Sequence, residues 1–120
     1  MSVSVTDLRS AEGVVRVCLT PNPRKFYDCQ GAGVVKKAIP AGSARAVTFR
    51  GVKPGRYAIA LLHDENANDK ADTVLGMMPK EGFGFSRDAP VRMGPPKFDH
   101  AAFEVGSTPV RQTIRMRYML

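Results

Sequence analysis

The sequence predicts an all-β protein: a single antiparallel β-sandwich of about seven short strands, spanning residues 1–120 as one domain. Three observations carry the prediction. Several short runs alternate apolar and polar residues with period two, which puts one face of each run toward a core. Proline- and glycine-containing turns separate these runs at sandwich spacing. No stretch carries the long 3.6-residue apolar period of an amphipathic helix. The connections available to such strands are those of an immunoglobulin-like Greek key.

Ser2 to Leu8 is the first expected strand, with Val3 and Val5 on one face. Ser10-Ala11-Glu12-Gly13 turns the chain into a second strand, Val14 to Thr20, with Val15, Val17 and Leu19 facing one way. Cys18 shares the other face with Val14 and Arg16. Pro21 and Pro23 stop this strand, because proline cannot donate to a ladder. Arg24 to Gly33 is a connection, pinned by Phe26 and Tyr27.

Val34 to Ile39 is short and carries Lys36 and Lys37. Ala44 to Val52 follows, with Val47 and Phe49 inward, and Pro54-Gly55 reads as a type II turn. Tyr57 to Leu62 is apolar on both faces, the mark of a central strand buried on two sides. Val74 to Met78 reads as a brief strand, and Phe83 and Phe85 share a face with glycines between them. Pro96 to Ala102 has room for one helical turn. Ala101 to Val105 and Val110 to Tyr118 complete the strands. In the last, Gln112, Ile114, Met116 and Tyr118 oppose Arg111, Thr113, Arg115 and Arg117.

The formal net charge is +7, with 18 basic and 11 acidic residues. A basic body suits an anionic partner, and it also serves solubility alone. Four of the 11 acids, Asp64, Glu65, Asp69 and Asp72, crowd into the polar stretch after the central strand. No run approaches the roughly 20 apolar residues of a membrane-spanning helix. No charged start followed by an apolar run marks a signal peptide. Cys18 and Cys29 have neither the Cys-x-x-Cys spacing nor the paired histidines of a zinc site; a disulfide and two free thiols both fit them.

Two stretches resemble known families. Phe49-Arg50-Gly51-Val52-Lys53-Pro54-Gly55-Arg56-Tyr57 resembles the Phe-x-Gly-Leu-x-Pro-Gly-x-Tyr signature of prealbumin- and transthyretin-like sandwiches. A second set is more specific. It comprises Tyr57-Ala58 with His63-Asp64-Glu65-Asn66, Gly76, Pro79, Glu81-Gly82-Phe83-Gly84-Phe85-Ser86 and Gly94-Pro95-Pro96-Lys97-Phe98. This set resembles the bacterial family called domain of unknown function 2141. The resemblance runs from about Val14 to Tyr118. It implies a small exported protein of the periplasm or cell surface, with a prealbumin-like sandwich and no assigned activity.

Four candidate sites follow from the residues. Asp64, Asn66 and Asn68 alternate as oxygen ligands do at the start of a calcium loop, with the Lys70 carbonyl and Asp72 completing the set. Asp69 stands where that loop needs glycine and Leu75 where it needs glutamate, so a turn held by Asx side chains competes with calcium. His63 at the strand end is either a general base or a residue bonding loop backbone. Tyr57, Phe83 and Phe85 line either a shallow ligand groove or the core. Arg111, Arg115 and Arg117 form either a solvated face or an anion-binding stripe for an envelope polymer or lipid. Nucleic acid is not expected, since the aromatic residues do not make a base-stacking platform.

The leading expectation is a non-enzymatic exported module of the bacterial envelope with a cation-binding loop. A small transthyretin-like hydrolase using His63 and a binder of anionic polymers or lipids are the alternatives.

Overall fold

Ten residues, Gly55–Asp64, form β5, the strand on which both layers of the protein are built. Every residue from Tyr57 to Asp64 is buried, as the apolar character of both its faces predicts. The computed structural model describes residues 1–24, 26, 29, 31–65, 82–90 and 96–118. The expected strand at Val74 to Met78 lies outside them.

One edge of β5 pairs antiparallel with β2 (Val14–Thr20), from Val14 opposite Asp64 to Thr20 opposite Ala58. Outside β2 lies β3 (Val35–Pro40), an edge strand whose Lys36 and Lys37 discourage further pairing. Two strands share the other edge of β5. The first, β6 (Gly82–Phe85), covers Ala60 to His63, and β7 (Phe103–Val105) covers Gly55 to Tyr57. A second sheet has the order β4-β1-β8, built from β1 (Ser2–Thr6), β4 (Ala46–Thr48) and β8 (Arg111–Arg115). The described strands number eight, and the architecture is the all-β sandwich the sequence predicts.

The topology departs from pure antiparallel pairing at one place: β1 and β8 run parallel, with Val5 opposite Ile114. Beyond β8 the chain leaves this sheet for the other one. Arg117 and Phe83 exchange backbone hydrogen bonds of 2.9 and 3.0 Å, so the C-terminal segment closes that side of the sandwich. Glycine makes the closure possible. A Cβ on Gly84 would stand 2.8 Å from Ile114 Cγ2 and 3.0 Å from the Arg115 carbonyl.

Two apolar clusters sandwich β5. Between the sheets, Val3, Val5, Val15, Val17, Leu19, Ile59, Leu61 and Ile114 pack together. On the outer face, Cys18, Ala58, Ala60, Phe83 and Phe85 are covered by Phe26 and by Phe98 of α1 (Phe98–Ala101), a single helical turn. The Phe26 ring stands edge-on to Phe85 and Phe98, with centroids 5.7 and 5.9 Å away, a favoured aromatic geometry. Each fully buried Ile or Leu of β5 contributes about 1.5–3 kcal/mol.

Several boundaries differ from the sequence prediction. The expected 44–52 strand contracts to Ala46–Thr48; Phe49 still exchanges backbone hydrogen bonds with Met1, and Arg50 to Val52 then leave the ladder toward β5. Gly55 opens β5 instead of forming the second corner of a type II turn. The left-handed corner falls on Gly51, at φ 68°. Tyr57 then donates its hydroxyl proton to the Lys53 carbonyl four residues back, at 2.9 Å, and fixes the bend to the strand. Cys18, on the face of β2 opposite Val15 and Val17, is only 7% exposed, since the second apolar layer covers that face.

Candidate functional site

The polar residues at the end of β5 sit against the β1–β2 connection. That connection passes so close to β5 that a Cβ on Gly13 would fall 2.1 Å from the Asp64 carbonyl. Gly13 also has φ 70°, so glycine is needed there for space and for backbone conformation. The close approach delivers Arg9, Ser10 and Glu12 to His63, Asp64 and Glu65.

His63 is wholly buried. Its Nε2 lies 2.9 Å from the Glu12 carbonyl and its Nδ1 lies 2.8 Å from the Tyr118 hydroxyl. A carbonyl only accepts, so Nε2 carries the proton. The Tyr118 hydroxyl accepts from the Arg9 backbone N–H at 3.1 Å and gives its own proton to Nδ1. The chain of donors is therefore complete, and neither ring nitrogen faces solvent. The Tyr118 ring stands edge-on to His63 and carries the Arg9 guanidinium 4.4 Å from its centroid. Burial raises the Tyr118 hydroxyl above the ordinary phenol value, the Arg9 N–H partly opposes this, and the Glu65 charge adds to it.

Glu65 accepts from the Arg9 guanidinium, at 2.5 and 3.0 Å, and from the Ser10 hydroxyl at 2.8 Å. The Arg9 hydrogen bond holds this carboxyl below its ordinary value against the opposing effect of burial, and Ser10 adds to the lowering. Asp64 is wholly buried and pairs with Arg16 Nε at 3.1 Å. A buried carboxylate needs such a partner. Of the five residues expected to hold calcium, Asp64 is described; Asn66, Asn68, Lys70 and Asp72 lie outside the described residues. Among the described residues no three His, Cys, Asp or Glu side chains converge as a metal site.

Of the three aromatic residues expected to line a groove, Phe83 and Phe85 stand side by side, with ring centroids 6.2 Å apart, and Tyr57 lies apart from them. Phe83 and Phe85 are 3% and 1% exposed and face the outer layer, whereas Tyr57 belongs to the cluster between the sheets. The alternation of β5 separates them, because Tyr57 points the opposite way from Ala58 and Ala60, which share a face with Phe85.

The arginine stripe is partly neutralised. Arg115 and Arg117 converge on Asp88, whose Oδ2 lies 3.9 and 3.2 Å from their guanidinium groups. Arg87 and Asp88 are both left-handed, at φ 58° and 51°, which swings Asp88 over the stripe. Arg111 is exposed at the start of β8.

Cys18 and Cys29 form a disulfide that ties β2 to the connection following it. The sequence shows Ser86 only within the family motif and gives no functional signal for Arg9, Ser10, Glu12 or Arg16. The Ser86 hydroxyl is buried between Ile59 N–H and the Ala101 carbonyl.

The profile of a bacterial family described as uncharacterized protein conserved in bacteria, domain of unknown function 2141, matches residues 3–113. No curated protein and no solved structure matches the chain.

Proposed function

The chain belongs to the family of domain of unknown function 2141, and from that premise we propose that it is a non-enzymatic binding module working outside the cytoplasm. The observation that carries this reading is the commitment of His63. A general base needs a nitrogen within reach of a substrate proton. Here both nitrogens are spent on Tyr118 and Glu12 inside the protein. The same enclosure speaks against a transthyretin-like hydrolase built on His63. The Cys18–Cys29 disulfide supports an oxidising compartment, where such bonds persist. The Arg9 and Arg16 ion pairs fix Glu65 and Asp64 at the end of β5, and Asp64 is the first of the residues read as a calcium-binding set.

Thiol trapping in intact cells tests the compartment. Cys18 and Cys29 are expected to resist alkylation until reductant is added, with the protein in the envelope or external fraction. Two freely alkylated thiols in the cytoplasmic fraction would overturn that half of the reading. Hydrolysis of small esters by the native protein, abolished in His63→Asn, would overturn the non-enzymatic half.

A further inference from the structure

The open side of the sandwich, between β3 and the segment linking β4 to β5, holds a cavity of about 530 Å³. Ligand pockets are typically about 300–1,000 Å³. Its wall is apolar where it enters the space between the sheets, at Leu19, Phe49 and Tyr57. At its rim stands Val35, the exposed large hydrophobic side chain among the described residues, at 40%. Leu19 opposite Val35 and Val17 opposite Lys37 put Val35 and Lys37 on the inner face of β3, over the cavity.

Among the described residues the charge of this groove has one sign: Lys37, Arg50 and Lys53 line it, and no described carboxylate does. The Lys37 ammonium spans the groove to the Thr48 carbonyl at 2.5 Å and lies 4.8 Å from the Phe49 centroid. An ammonium has three donors, and one carbonyl takes one of them. No salt bridge of Lys37, Arg50 or Lys53 occurs among the described residues, whereas Arg9, Arg16, Arg56, Arg115 and Arg117 are all paired with acids.

We propose that this groove binds a single-chain amphipathic carboxylate of the fatty-acid class. The acyl chain lies along Val34, Val35 and Val52, over a floor of the buried Leu19 and Phe49, and the carboxylate meets Lys37 with Arg50 and Lys53 at the mouth. The aliphatic rim suits a flexible chain, and the unpaired cations supply the anionic specificity. The proposal rests on the reading of the protein as a binding module and names what that module binds.

The test is calorimetric titration of the intact disulfide-bonded protein with decanoate, decyl phosphate and decanol below their aggregation concentrations. Decanoate is expected to bind saturably, one to one, and more tightly than decanol. Lys37→Gln keeps a donor for Thr48 while removing the charge, and should weaken decanoate by about tenfold or more. Val35→Asp sits at an exposed edge where folding is not at stake, and should weaken it by a similar factor. Melting curves confirm that both variants are folded. Absence of saturable decanoate binding, or binding unchanged in both variants, overturns the proposal. Tighter binding of decyl phosphate with the same variant dependence overturns the carboxylate assignment in favour of a phosphate head. Failure here with Cys18 and Cys29 still oxidised in cells removes the ligand and leaves the exported module standing.

Discussion

The hydroxyl of Ser86 accepts the backbone N–H of Ile59 at 2.9 Å, at the point where β5 changes neighbours from β7 to β6. Neither neighbour reaches Ile59, so a side chain completes the ladder there. The same hydroxyl donates to the Ala101 carbonyl at 2.5 Å and joins the helical turn α1 to the sheet. Ser86→Ala would leave a buried donor and a buried acceptor without partners. It should cost about 1–3 kcal/mol, read as a lower urea midpoint at unchanged slope. A midpoint equal to that of the native protein would mean that water replaces the hydroxyl.

Glu65 gives the stability a dependence on pH. Its folded carboxyl is held below the ordinary value of 4.5, chiefly by the Arg9 hydrogen bond. A depressed folded value means that its contribution is full above the unfolded value and is lost as pH falls through the folded one. The difference in melting temperature between native protein and Glu65→Gln should therefore be present near about pH 7 and shrink below about pH 4. A difference that stays constant over that range would contradict this account.

Removing the disulfide as Cys18→Ala with Cys29→Ala should destabilise the protein by about 3 kcal/mol. That is the chain-entropy value for a loop closed over 11 residues. The loss should appear in full on reduction of the native protein. A variant as stable as the native protein would show that Phe26 packing alone holds the connection.

Gly84 and Gly106 provide a matched comparison. A Cβ on Gly84 meets Ile114 and the Arg115 backbone, whereas one on Gly106 meets nothing within 4 Å. Gly84→Ala should cost about 1–3 kcal/mol by overpacking. Gly106→Ala should be neutral or gain about 0.4–1 kcal/mol through the unfolded chain. Equal effects in thermal melts would argue that the C-terminal segment yields easily to β6.

Much of the fold was legible because its signals are local. Pro21 and Pro23 stop β2 where the sequence says they must, and the two-faced apolar run of β5 announces burial on both sides. The helical turn at Phe98–Ala101 falls inside its expected window. The parallel pairing of β1 with β8 was not legible, since a period of two says which face is buried and nothing about which strand lies alongside. His63 was legible as a polar residue at a strand end. Its enclosure was not, because its partners Glu12 and Tyr118 are 51 and 55 positions away along the chain. The groove under β3 escaped for a related reason: it lies where Arg50 to Val52 leave the ladder, which the Phe-x-Gly pattern does not reveal.

The parallel pairing has a consequence for how the molecule folds. Of the two neighbours of β1, β8 is the one most distant from it in sequence among the described strands. Residues 116 and 117 also bond Thr6 in one sheet and Phe83 in the other. A nascent chain lacking Arg111 onward has β1 exposed along one edge and β6 unsealed. Contacts between segments this far apart in sequence form late, so β1 gains this neighbour, and β6 its seal, only at the end of folding.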